Sequence, residues 1–369
     1  MMQQLKIIIA GGGTGGHIFP AVAIGHALQK MRPGTELLFV GALGKMEMEK
    51  VPQEGFQIVG LDIAGFNRSN MFKNIGLPFK LLKSAWQARS IIKSFQPDVV
   101  IGVGGYASFP ILHAAQRLGI PTLIQEQNSF AGKSNKILAK QAKAICVAYD
   151  NMEAFFPKDK INITGNPVRS VIAQSKVSRA EGIAFFNLDE KKKTILVVGG
   201  SLGATSINKA IDKHLDKLID AETQIIWQTG KPYFEQACAS AQNYPDAVKV
   251  FDFIRAMDKA YAAADIVVSR AGALAIAELC IVAKPVIFVP YPFAAEDHQT
   301  NNAMALVSKN AALMIKDEQA AIELFQQLSE LKKDEQKQKN MSNQLKEIAI
   351  KNADERIAQY VIDLATQYN

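Results

Sequence analysis

Ile7-Ile8-Ile9-Ala10 leads into Gly11-Gly12-Gly13-Thr14-Gly15-Gly16, and about 190 residues later Ile195-Leu196-Val197-Val198 leads into Gly199-Gly200-Ser201-Leu202-Gly203-Ala204. Each stretch reads as an apolar strand, a glycine turn and the start of a helix. A continuous apolar run, rather than an alternating one, suits a strand buried on both faces. The repeat of the opening predicts two Rossmann-like domains facing one cleft. Strand candidates fall at 6–10, 37–40, 99–103, 122–125, 144–148, 194–198, 224–228, 248–251, 266–269 and 286–289. Most stretches between them are long enough for crossover helices, so the class is α/β, doubly wound, with parallel sheets covered on both faces. Gly165-Asn166-Pro167 marks the linker, because Asn-Pro breaks regular structure. This divides the chain into an N-terminal domain, 1–166, and a C-terminal domain, 167–349. The tail from about Leu328, rich in Lys, Glu and Gln, reads as solvated helices.

The chain has 369 residues, too many for one ordinary core and suited to two domains of roughly 150–200 residues. Hydrophobic residues at 48% and charged residues at 21% describe a globular composition, not a disordered one. The three cysteines, Cys146, Cys238 and Cys280, are far apart and form no Cys-x-x-Cys pair. Neither a disulfide framework nor a zinc site is expected, and a reducing compartment fits. Leu5 to Ala10 is too short for a signal peptide, and no apolar run reaches the ~18 residues of a spanning helix. Residues 1–166 carry 18 Lys+Arg against 10 Asp+Glu, and residues 167–369 carry 24 against 25. The positive excess therefore lies in the N-terminal half, which points to an anionic partner there.

Gly11, Gly13 and Gly16 formally match the dinucleotide pattern G-x-G-x-x-G. A NAD site also needs an acid closing the second strand, and here that strand ends Phe39-Val40-Gly41-Ala42 without one. The remaining reading is a backbone that lets a ligand approach, at a helix end that favours negative charge. His17 sits at that helix start. It reads either as a polar neighbour of the helix cap or as a general base, since the positive end of the helix disfavours imidazolium and leaves a neutral ring able to accept a proton. A second cluster runs from Gly102 through Gly104, Gly105 and Tyr106 to Pro110. It reads either as a tight strand-to-helix turn or as another anion cradle, and two cradles in a basic domain suit a diphosphate. Glu278 lies among small apolar residues on a helix after Ser269-Arg270-Ala271-Gly272. A buried carboxylate of this kind is paired with a cation or accepts hydrogen bonds from ribose hydroxyls.

The motifs GGGTGGHIFPA (11–21), GVGGYASFP (102–110), EQN (126–128), TGNPVR (164–169), GGSLGA (199–204), SRAGA (269–273) with Glu278, and EDHQTNNA (296–303) occur in this order. The set closely resembles the MurG family, the UDP-GlcNAc:lipid I N-acetylglucosaminyltransferases of bacterial cell-wall synthesis, over nearly the whole chain. The resemblance implies a GT-B fold in which the final helix, about 350–369, packs back on the first domain. It also implies an inverting reaction with no cofactor and no active-site metal. Carried over by motif, Thr14, Gly15 and Gly16 line the donor diphosphate and sugar, and Asn128 contacts GlcNAc. Arg169 and Ser201 contact phosphate, Ile254 meets uracil through its backbone, and the turn with Ala273, Leu274 and Glu278 holds phosphate and ribose. Gln299 binds sugar hydroxyls. The general base is His17, with Glu126 as the alternative. The partners implied are UDP-GlcNAc, lipid I (undecaprenyl-pyrophosphoryl-MurNAc-pentapeptide) and proteins of cell-wall synthesis or division, at the cytoplasmic face of the inner membrane. Two other readings stay open: a different UDP-sugar transferase acting on a glycolipid, and a non-hydrolysing UDP-GlcNAc epimerase, which needs no lipid acceptor.

Between Asp62 and Asp98 there is no acidic residue, while Arg68, Lys73, Lys80, Lys83, Arg89 and Lys93 fall there among apolar residues. The segment reads as a helix packed on the core or as an interfacial surface for anionic membrane, with Phe72, Ile75, Phe79 and Trp86 as apolar members and Lys73, Lys80 and Lys83 as cations. Nucleic acid is not an expected partner, because the interval is apolar-rich and the glycine loops would go unexplained.

Overall fold

The computed structural model of the chain describes residues 4–63 and 77–368. Its contacts form two compact units, Met1–Arg169 with Lys351–Asn369, and Ser170–Ile350.

The first unit is built on a seven-stranded parallel sheet. Its strands are β1 (Lys6–Ala10), β2 (Glu36–Ala42), β3 (Gln57–Leu61), β4 (Val99–Gly102), β5 (Thr122–Glu126), β6 (Ala144–Val147) and β7 (Ile161–Ile163), in the order β3-β2-β1-β4-β5-β6-β7. Side chains alternate faces along β1. Ile7 and Ile9 join one core with Ile18, Ile24 and Leu28 of the helix Gly15–Met31. Ile8 and Ala10 join another with Ala88 and Ile92 of the helix Leu77–Phe95 and Ile111 and Leu112 of the helix Ser108–Arg117. Ile357, Ala358 and Val361 of the helix Ala353–Gln367 are fully buried in the first of these cores. A large aliphatic side chain buried this way contributes roughly 1.5–3 kcal/mol, which ties the chain's last helix to its first unit.

The second unit has a six-stranded parallel sheet: β8 (Lys193–Val198), β9 (Thr223–Gln228), β10 (Val248–Phe251), β11 (Ile266–Ser269), β12 (Val286–Phe288) and β13 (Leu313–Met314), in the order β10-β9-β8-β11-β12-β13. Each sheet reverses its winding beside its first strand, between β1 and β4 and between β8 and β11. In open α/β sheets ligands bind at the carboxyl ends of the strands at such switch points. All three glycine clusters of the sequence lie there: Ala10 pairs with Gly102, and Val198 with Ser269.

The tail is not a set of solvated helices. Leu324, Leu328 and Leu331 of the helix Ala320–Lys333, and Met341 and Leu345 of the helix Glu335–Ile348, are buried. Their spacing of three and four residues turns one apolar stripe of each helix inward and leaves the charged residues outside.

Candidate active site

In the first unit the turn after β1 and the turn after β4 meet at His17. Thr14 caps the helix in an extended conformation, and its Oγ1 lies 3.2 Å from His17 Nδ1. The other side of the ring rests on the second turn. A Cβ placed on Gly104 would stand 2.7 Å from His17 Cδ2 and 2.9 Å from Nε2, and Gly104 has φ +88°. A residue without a side chain is therefore required under the imidazole, for space as well as for backbone conformation. Gly105, at φ +85°, packs on the Gly12 carbonyl, so the two loops touch directly. Ser108 ties the pair together, its one hydroxyl proton lying between Ala10 O at 2.7 Å and Gly104 O at 2.8 Å from Oγ. Tyr106 is exposed above this junction. Pro20, inside the same helix, has no N–H, so the Gly16 carbonyl lacks the usual helical donor.

Glu126, at the end of β5, is 2% exposed. Its Oε1 accepts from the Asn128 N–H at 3.1 Å and Asn128 Nδ2 at 3.3 Å. Its Oε2 accepts from the Gly132 N–H at 3.1 Å and Asn135 Nδ2 at 2.8 Å. Both oxygens are committed to holding the turn that carries Asn128, which argues against Glu126 as the base. Beside it a buried amide network joins Gln125, Gln127 and Asn166. Gln125 donates to Asn166 at 3.0 Å, Asn166 to Gln127 O at 2.9 Å, and Gln127 to Val103 O at 2.7 Å. Arg169 is half-buried at the end of this unit.

In the second unit Ser201 is exposed on the glycine turn after β8. Gln228, at the end of β9, links that turn to Ile254. Its Nε2 donates to Gly200 O at 2.9 Å, and its Oε1 accepts the Ile254 N–H at 2.8 Å. Gln299 bridges two loops through one atom, since its Oε1 accepts from Ala271 N at 3.2 Å and Tyr291 N at 2.9 Å. The helix Ala273–Val282 begins after Gly272 with no side-chain cap, so its first N–H groups face the carboxyl end of the sheet. Ala273 and Leu274 form that first turn, and Glu278 follows one turn later. Glu278 is 7% exposed, and its Oε2 accepts from Tyr261 OH at 3.1 Å.

Two polar groups, one half-buried and one buried, were given no role by the sequence reading. Arg270, inside the quoted SRAGA motif, donates to Val289 O at 2.9 Å, Pro290 O at 3.0 Å and Ser206 Oγ at 3.2 Å, and pairs with Asp317. It is a tie between strand ends rather than a loose cation. Glu47 is buried under the first glycine turn, where it accepts the Gly13 N–H at 2.8 Å. The acid missing from the end of β2 thus arrives five residues later and points inward. Burial pushes the Cys146 and Cys280 thiols up to about 12, which removes both as nucleophiles near neutral pH.

Two Rossmann-like units with glycine turns at their switch points are the architecture of the GT-B fold, and the family matches make the chain a glycosyltransferase. Residues 7–147 match the glycosyltransferase family 28 N-terminal domain, and residues 194–357 match the family 28 C-terminal domain. A relative from Phocaeicola vulgatus, described as a UDP-N-acetylglucosamine–N-acetylmuramyl-(pentapeptide) pyrophosphoryl-undecaprenol N-acetylglucosamine transferase, is 53% identical over 370 residues, covering 100% of this chain and 98% of the relative. The crystal structure of Acinetobacter baumannii MurG aligns with TM-score 0.81 and 31% identity, covering 97% of this chain and 99% of that one. A UDP-GlcNAc 2-epimerase from Neisseria meningitidis shares the fold alone, at TM-score 0.67 and 17% identity over 97% of this chain and 100% of its own. The chain belongs to glycosyltransferase family 28, among its MurG-type N-acetylglucosaminyltransferases.

Proposed function

We propose that the chain transfers GlcNAc from UDP-GlcNAc to the C4 hydroxyl of the MurNAc-pentapeptide of lipid I, with inversion, giving lipid II and UDP, and that His17 is the base. The seating of His17 between Thr14 and Gly104 carries the residue-level reading. The acceptor oxygen attacks the anomeric carbon as the bond to the UDP β-phosphate oxygen breaks. His17 takes the hydroxyl proton, and the negative charge leaves on UDP. Backbone amides at the glycine turns and at the start of the helix Ala273–Val282, with Arg169, stabilise that charge. Thr14, Gly15 and Gly16 line the donor, Asn128 contacts its sugar, and Ser201 its phosphate. Ile254 meets uracil through its carbonyl, because its N–H is held by Gln228. Gln299 presents its NH₂ to sugar hydroxyls, because its oxygen is held by two backbone amides. The test is transfer of labelled GlcNAc to a short-chain lipid I analogue. Conversion of UDP-GlcNAc to its 2-epimer without any acceptor would instead support the epimerase reading.

Glu278 is the ribose ligand in this reading. Glu278→Ala is expected to weaken UDP-GlcNAc binding by about 1–3 kcal/mol, the range for a charged hydrogen bond. Isothermal titration of the folded variant with UDP-GlcNAc checks this. An unchanged affinity means that Glu278 serves only Tyr261.

The protein also docks on anionic membrane, where its lipid-linked acceptor resides. Among the described residues no helix is long and apolar enough to cross a membrane. Phe72, Lys73 and Ile75 lie outside the described residues, as do the side chains of Phe79 and Lys80. On the described part of the helix Leu77–Phe95, Ser84, Ala88 and Ile92 face inward, while Leu82 and Trp86 are each 72% exposed. Trp86 is therefore not a core residue. Leu82, Trp86, Arg89 and Lys93 follow helical spacing along one outward stripe, and Lys83 pairs with Asp62 at 2.7 Å. Each cation near an anionic surface contributes roughly 1 kcal/mol, and each inserted apolar side chain roughly 1.5–3 kcal/mol when fully buried. Leu82→Ser with Trp86→Ser is expected to reduce co-sedimentation with anionic vesicles and turnover of long-chain acceptor, and to spare turnover of a soluble acceptor. Wild-type sedimentation of that variant at low and high salt means the membrane face lies elsewhere.

A further inference from the structure

Glu47 is the first residue of the helix Glu47–Gln53 and is 1% exposed. Its Oε2 accepts the Gly13 N–H at 2.8 Å, and its Oε1 accepts the Ala42 N–H at 2.9 Å. One carboxylate thus joins the end of β2 to the turn after β1. Two glycines make room for it. A Cβ on Gly12 would stand 2.3 Å from the carboxyl carbon of Glu47, and a Cβ on Gly41 would stand 2.4 Å from its Cγ. Gly13 itself has φ +89° and open space beyond its Cα. Its amide is held one residue before Thr14, the N-cap of the helix carrying His17.

We propose that Glu47 is a positioning residue for the transfer reaction. By holding Gly13 against the end of β2 it sets where Thr14 begins the helix, and so where His17 stands over Gly104. The proposal rests on the reading of His17 as the base. Part of the first glycine run follows from it: Gly12 and Gly41 house a protein carboxylate, while Gly13, Gly15 and Gly16 remain on the ligand side.

The test is Glu47→Gln. An amide keeps the shape but turns an NH₂ towards one of the two N–H groups, so one anchor is lost. A displacement of about 1 Å can lower turnover by about 10²-fold, so kcat is expected to fall by that order while KM for UDP-GlcNAc moves by less than about threefold. Hydrogen exchange at the Gly13 amide should quicken in the same variant. The decisive measurement is a cycle with His17→Ala. If Glu47 acts through His17, Glu47→Gln has little further effect on kcat once His17 is gone. Equal effects in both backgrounds overturn the proposal, as does wild-type kcat in Glu47→Gln beside a crippled His17→Ala. Wild-type kcat in His17→Ala overturns the base reading first, and the proposal with it. If Glu47→Gln folds poorly, Glu47→Ala with Gly41→Ala refills the vacated space with a methyl group and removes the anchor. That variant should regain thermal stability over Glu47→Ala alone and still show the low kcat. Restored kcat would mean that Glu47 only fills space.

Discussion

Replacing His17 by alanine is expected to lower kcat by about 10²–10⁴-fold, the usual range for a general base, with a much smaller change in the KM for UDP-GlcNAc. The ring is held on two sides, by Thr14 Oγ1 at 3.2 Å from Nδ1 and by the bare backbone of Gly104 beneath Nε2. Such seating fixes orientation, and a proton acceptor contributes mainly in the transition state, so the loss belongs in kcat. Gly104→Ala should show a similar pattern for a different reason. Its Cβ would stand 2.7 Å from His17 Cδ2, at a positive φ that alanine resists. Steady-state kinetics in both substrates checks the pair. A large rise in donor KM with kcat intact would make His17 a binding residue and leave the base to be found elsewhere.

The sheets were legible where strands are buried on both faces. Ten of the thirteen described strands coincide with apolar runs read from the sequence. The three that do not, β3, β7 and β13, are all at sheet edges. Gln57–Gly60 alternates exposed and half-buried positions before the buried Leu61, Ile161–Ile163 has no fully buried residue, and Leu313–Met314 has only two residues. An edge strand needs less apolar surface and pairs on one side only, so its sequence carries less signal.

The glycine turns were legible for a related reason. A glycine cluster after a buried strand has few uses, and its place at the sheet's reversal follows from strand order. What composition cannot give is the direction in which a buried polar group points. Glu126 and Gln299 stand in recognisable motifs, yet their oxygens face the protein's own amides. Glu47 stands in no motif named from the sequence and holds the first turn from beneath. Its one local signal is a pair of glycines, Gly12 and Gly41, on neighbouring strand ends, both lacking a Cβ where its side chain lies.

Arg270→Ala is expected to cost the second unit about 1–3 kcal/mol, the range for leaving partly buried polar groups without their hydrogen-bond partner. The Arg270 side chain is 13% exposed and that of Asp317 23%. The guanidinium gathers three segments: the loop after β12, through Val289 and Pro290, the helix Thr205–Lys213, through Ser206, and the turn Asp317–Gln319. Its loss leaves Asp317 with Ser206 but without its cation, and leaves two strand-end carbonyls without their donor. Lysine should rescue only in part, because one ammonium can take over the contacts that Nη1 makes with Val289, Pro290 and Asp317 but not the one that Nη2 makes with Ser206. For a unit of this size each kcal/mol moves the midpoint by about 2–4 °C, so a shift of roughly 2–12 °C is expected. The chain's two tryptophans make the measurement selective. Trp227 is fully buried in the second unit, whereas Trp86 is already exposed in the first, so the change in fluorescence on heating reports mainly the second unit. If the tryptophan transition moves by less than a degree or two, corresponding to under about 1 kcal/mol, the network behaves as a surface pair. Arg270 would then be free to turn towards a bound phosphate.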